Sequence, residues 1–72
     1  MANFTYDIIQ HIATLSNRGA WILELNLISW NGRTPTFDLR RWSEDHSKMS
    51  KGTSLTKQEL DALAQFLAEN PI

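Results

Sequence analysis

The chain has 72 residues, no cysteine and a formal net charge of −1. That length allows one small domain, 1–72, with a limited core, and without disulfides or thiolate metal sites its stability must come from packing or from pairing with a second copy. No apolar run reaches membrane-spanning length and no signal-peptide pattern opens the chain, so a cytoplasmic protein is expected, and the net charge taken alone argues against a polyanionic partner.

The first segment, Phe4 to Leu15, carries two patterns at once. Phe4, Tyr6 and Ile8 alternate as in a strand, whereas Ile8, Ile12 and Leu15 fit helical spacing. In a strand, the adjacent pair Ile8-Ile9 would mark the parity change of a β-bulge. Ser16-Asn17-Arg18-Gly19 reads as a turn.

A strand is expected from about Trp21 to Trp30, followed by the Asn31-Gly32 turn and a second strand ending near Trp42. An Asn-Gly pair between alternating runs is the strongest short-range hairpin signal. Leu23, Leu25, Leu27, Phe37 and Leu39 share one parity, which predicts a core face. Glu24, Asn26, Ile28, Trp30, Asp38, Arg40 and Trp42 share the other, which predicts an open, solvated face carrying two tryptophans. Pro35 lies at the start of the second strand, where a missing N–H is tolerated.

Ser43 to Ser50 is polar and connective, and Lys51-Gly52-Thr53-Ser54-Leu55 can form a short last strand. A helix follows. Thr56 and Glu59 form a capping box, Leu55 and Leu60 a hydrophobic staple, and Asn70-Pro71 ends the element. Leu60, Leu63, Ala64 and Leu67 make an apolar stripe that can cover the sheet's leucines, with the Phe66 flank left for a partner. The fold class is therefore α+β: a four-stranded antiparallel sheet followed by one C-terminal helix, expected to be homodimeric through Phe66, Leu63 and Leu67.

Charge is uneven along the chain. Between Arg33 and Lys51, the bases Arg33, Arg40, Arg41, Lys48 and Lys51 outnumber the acids Asp38, Glu44 and Asp45. From Thr56 onward, Lys57 faces Glu59, Asp61 and Glu69. A basic middle with aromatics on one sheet face suits unpaired bases, which stack on rings while cations meet phosphates.

The run Asp38-Leu39-Arg40-Arg41-Trp42, then Lys51-Gly52-Thr53-Ser54-Leu55-Thr56 and a capped amphipathic helix, resembles the single-stranded-DNA-binding domain of the transcriptional positive cofactor four family. Trp30-Asn31, Asp45-His46, Lys48-Met49 and Lys51-Gly52 are most similar to its bacterial YdbC-like branch. The resemblance implies a curved sheet, a homodimer and single strands lying along concave β-ribbons. It also implies that Trp42, Arg40 and Lys51 are binding-surface positions, with Trp30 before the turn glycine and Arg33 after it.

Taken singly, Trp42 stacks on a base or serves as a core or dimer-contact aromatic, Trp30 stacks on a base or covers the hairpin, and Arg40 meets phosphate, stacks on Trp42 or pairs with Glu24 or Asp38. Trp21 shares the leucine parity and reads as structural, while Arg41 reads as a solvated-edge residue. Ser43, Asp45, His46 and Ser47 are neighbours in one loop and lack the converging geometry of a catalytic triad. His11 and His46 lack metal-ligand spacing, and no phosphate-binding glycine loop or dinucleotide motif is present. No enzyme, cofactor, metal or small-molecule substrate is expected. Two readings remain: a dimeric binder of single-stranded DNA, or of RNA, with little sequence preference and a role in transcription or DNA handling; and a protein-interaction module in which the open aromatic face or the Phe66 flank docks another chain.

Overall fold

The computed structural model describes residues 4–72; the first three residues of the expected domain lie outside it. Strands β1 (Tyr6–Arg18), β2 (Trp21–Trp30), β3 (Thr36–Ser43) and β4 (Thr53–Leu55) precede helix α1 (Lys57–Glu69). The strands form one antiparallel sheet in the order β1-β2-β3-β4. This is the four-stranded α+β arrangement that the sequence predicts.

The two patterns of the first segment have one explanation. β1 is a strand, and its pairing with β2 slips between Ile8 and Gln10, His11 and Ala13, and Thr14 and Ser16. Each slip leaves one residue unopposed: Ile9, Ile12 and Leu15. A bulge at every third residue therefore imitates helical spacing. Bulges also bend a strand and increase its twist. The sheet is accordingly curled: Trp30 pairs with Tyr6 at one end of β2, Trp42 pairs with Ile22 near the other, and yet the Tyr6 ring lies 5.6 Å from Trp30 and 5.4 Å from Trp42.

Strand β1 continues through Ser16, Asn17 and Arg18, which the sequence assigns to a turn. The reversal is confined to Gly19-Ala20, closed by the pair Arg18 and Trp21. Gly19, at φ 68°, takes the first central position, where a II′ hairpin turn places glycine. At the next reversal Asn31 and Gly32 have φ values of 51° and 73°, the double left-handed signature of a I′ turn, and the Arg33 N–H donates to the Trp30 carbonyl at 2.9 Å.

Curling decides which side is inside, and it reverses the parity expectation. Asn26, Ile28, Asp38 and Trp42 are fully buried and Glu24 nearly so, whereas Leu23, Leu25, Leu27, Phe37 and Leu39 are half-buried. The concave side closes over its own side chains. The helix leaves the leucine side half-open because it touches only β3 and β4. No helix residue is buried: Leu63, Phe66 and Leu67 are 46, 57 and 43% exposed, so the apolar stripe as well as the Phe66 flank lacks cover within one chain.

The helix termini follow the sequence closely. The Glu59 N–H donates to Thr56 Oγ1 at 3.1 Å and the Thr56 N–H to Glu59 Oε1 at 2.8 Å, which completes the capping box. At the other end the Asn70 backbone N–H and side-chain Nδ2 both donate to the Phe66 carbonyl, at 2.9 and 3.0 Å.

Candidate nucleic-acid interface

Five rings form a continuous row on the concave side. Phe4 lies 5.6 Å from Trp30 between centroids, Trp30 5.6 Å from Tyr6, Tyr6 5.4 Å from Trp42, and Trp42 5.2 Å from the His46 imidazole. All are tilted pairs within the range of favourable aromatic contact. Exposure changes sharply along the row: Phe4 is 62% exposed, Tyr6 and Trp30 are half-buried, and Trp42 is fully buried. The expectation of an open Trp42 is thus corrected, because Tyr6 and His46 close over it from either side.

Arg40 lies over the Trp30 ring, 4.6 Å from its centroid, and not over Trp42. Its guanidinium is held by Asp38 through two bonds of 2.7 Å, from Nε to Oδ1 and from Nη2 to Oδ2. Nη1 donates to Met49 Sδ at 3.3 Å and to the Ser50 carbonyl at 3.4 Å. Asp38 is buried and the Arg40 side chain only 14% exposed. Of the two carboxylate partners expected for Arg40, Asp38 is the one it pairs with. The pair makes the guanidinium a fixed, charge-balanced plate against Trp30.

Gly52 makes this placement sterically possible. A Cβ on Gly52 would lie 2.4 Å from Arg40 Cβ and 2.6 Å from the Leu39 carbonyl oxygen. The chain entering β4 can pass beside Arg40 only without a side chain there.

A second polar cluster lies beside Trp42. Glu24 accepts from Asn26 Nδ2 at 3.0 Å and from His46 Nε2 at 3.0 Å on its other oxygen. Asn26 Oδ1 is then left to accept from His11 Nδ1 at 2.7 Å, which stands 3.6 Å from Glu24 Oε1. Burial pushes the Glu24 carboxyl up, but donation from Asn26 and His46 and the charge of the two imidazoles outweigh it and hold the group below its ordinary value. The sequence missed this cluster because its members lie on three separated segments. The retrospective signal is two polar residues, Glu24 and Asn26, alternating with leucines in the middle of a long strand.

The loop after β3 is tightly ordered. Asp45 Oδ1 accepts from Ser43 Oγ, the Ser47 N–H and Ser47 Oγ at 2.7–2.9 Å, and these bonds hold the Asp45 carboxyl down to about 2. His46 adopts φ 60° and turns its ring toward Glu24, away from the serines. The serine, aspartate and histidine cluster is therefore a loop brace. Among the described residues no three His, Cys, Asp or Glu side chains are arranged to hold a metal ion.

Trp30, Arg33 and Arg40 come together with Phe4 and Ser54 around an open recess of about 330 Å³. Arg33 is exposed at its rim. Lys48 lies elsewhere, on a shallow hollow with Ala20, Ser43, Glu44, Asp45 and Ser47, and Lys51 is exposed just before β4. Trp21 is 37% exposed on the leucine side. Arg41, expected at a solvated edge, is half-buried on that side. Phe4, which sequence reasoning did not single out, lines the same recess as Trp30, Arg33 and Arg40.

Residues 19–66 match the family model described as Transcriptional Coactivator p15 (PC4). A protein of Treponema pallidum (strain Nichols), described as an uncharacterized protein, is 48% identical over 66 residues, covering 90% of this chain and 78% of that one. No helix is long and apolar enough to cross a membrane among the described residues.

Proposed function

The chain belongs to the transcriptional coactivator p15 (PC4) family, and from that membership and its aromatic groove we infer that it is a single-stranded-DNA-binding protein acting in transcription or DNA handling. The observation that carries this reading is the row of rings on the concave side, open at the Phe4 and Trp30 end and flanked there by Arg33 and Arg40. Stacking on rings is tolerant of sequence because every base has a π face, so little sequence preference is expected.

In this reading the site residues divide by exposure. Trp30 meets the strand, and Arg33, Lys48 and Lys51, all exposed, meet phosphates. Arg40 and Trp42 support the platform from beneath, the first as a plate on Trp30 and the second as the buried end of the row. Unpaired bases are required, so single strands are preferred over duplex. The helix offers no recognition surface for a major groove, because its first turn presents Glu59.

The same reading makes the protein a homodimer. Leu63, Phe66 and Leu67 lie exposed on a helix with no buried residue, and a 72-residue chain without disulfides gains stability by covering them against a second copy. Nothing in this function calls for an enzyme activity, a cofactor or a small-molecule substrate. The exposed helix stripe also favours the second reading, a protein-interaction module.

The deciding experiment is an anisotropy titration of a labelled single-stranded oligonucleotide at two salt concentrations. Binding that weakens as salt rises and resists competition by duplex, base for base, is expected. Absence of binding at low salt would leave the protein-interaction reading.

A further inference from the structure

We propose that Phe4 is the outer base-stacking platform of the groove and that Asn31 is the residue that positions it. This inference deepens the single-strand-binding reading and rests on it. The rings deeper in the row have less face to offer than Phe4. Trp42 has no exposed surface, Tyr6 is held between Trp42 and Trp30, and Trp30 already carries the Arg40 guanidinium 4.6 Å from its ring centre. Phe4 lies at the open end of the row, 62% exposed, and its ring forms one wall of the recess shared with Trp30, Arg33, Arg40 and Ser54. A base laid against Phe4 extends the row by one ring. Its phosphate then lies within reach of Arg33, the exposed cation at the same recess.

An exposed ring just outside a strand stacks well only if its backbone is fixed, since ordering it at binding would oppose association. Asn31 supplies that restraint. Its backbone N–H donates to the Thr5 carbonyl at 2.8 Å, and its side-chain Oδ1 accepts from the Thr5 N–H at 2.9 Å. The residue next to Phe4 is thus clamped on both sides to the turn that follows Trp30. Asn31 also holds φ 51°, which asparagine tolerates better than most side chains. One residue serves the turn and the ring.

The test measures affinity of the full chain for a labelled oligothymidylate, with circular dichroism to verify folding. Phe4→Ala is expected to weaken binding about five- to a hundredfold, the range of one lost stacking contact. Phe4→Tyr keeps affinity near wild type, and Phe4→Leu falls with the alanine variant because it keeps apolar bulk and lacks a π face. Asn31→Gly, which retains the turn and loses the Oδ1 acceptor, weakens binding in the wild-type background and adds nothing in the Phe4→Ala background. Wild-type affinity in Phe4→Ala or in Phe4→Leu overturns the platform, and additive losses in the double variant overturn the role of Asn31. If the wild type itself binds no single strand, the underlying functional reading fails and this inference with it; if the wild type binds and Phe4→Ala binds equally, only this inference fails.

Discussion

Asp38 and Arg40, two residues apart on β3, face the same side of the sheet and form a two-pronged ion pair in which the carboxylate is fully buried. The pair fixes the guanidinium against Trp30, so the most prominent cation of the family-like motif supports the groove. Removing one partner strands the other in a dry environment. Asp38→Ala is therefore expected to cost about 3–5 kcal/mol, read as a fall in the urea midpoint. A loss under about 1 kcal/mol would mean that Arg40 finds solvent easily.

Trp42→Ala acts on the fold before it acts on binding. The ring is fully buried between Tyr6 and His46, and its removal is expected to cost about 3–5 kcal/mol. Thermal unfolding checks this. A variant as stable as wild type would place Trp42 outside the core.

Gly52→Ala forces a Cβ onto Arg40 and the Leu39 carbonyl. The expected cost is about 1–3 kcal/mol. Loss of nucleic-acid affinity should accompany it, because Arg40 must shift from Trp30. Denaturation and titration of the same sample test both halves of the statement.

Acid should destabilise the protein through two carboxylates. Glu24 and Asp45 both titrate lower when folded, Asp45 at about 2 from an ordinary 3.8, so each stabilises the fold above its unfolded value and loses that effect as pH falls through the folded one. Stability should therefore decline from about pH 4.5 downward toward pH 2. Denaturant midpoints recorded across that range should show a shallower slope in Asp45→Asn. An unchanged slope in the variant would contradict the assignment.

Phe66→Glu places like charges against each other if the helix packs across a two-fold axis. A monomer is expected in sedimentation, with a larger loss of affinity for long strands than for short ones, since pairing joins two grooves. Sedimentation of the wild type as a monomer at micromolar concentration would remove the dimer.

Local chemistry made much of this molecule legible in the sequence. The Asn31-Gly32 turn, the capping box of Thr56 and Glu59 and the stop at Asn70 are decided within a few residues, by backbone conformation and by donors that need acceptors. The bulge at Ile9 is visible as a parity change, while its recurrence at Ile12 and Leu15 passes for helical spacing because both repeat at about three residues.

Parity alone assigned Trp30, Arg40 and Trp42 to one side of the sheet and the leucines to the other. It could not say which side is inside, because alternation is the same for a sheet curled either way. Only the tertiary structure, through the bulged β1 and the loop brought over Trp42 by His46, buries Glu24, Asn26, Asp38 and Trp42 and leaves Phe4 at the open end. Neighbour identities fix which side chains share a face; long-range curvature fixes which face meets water.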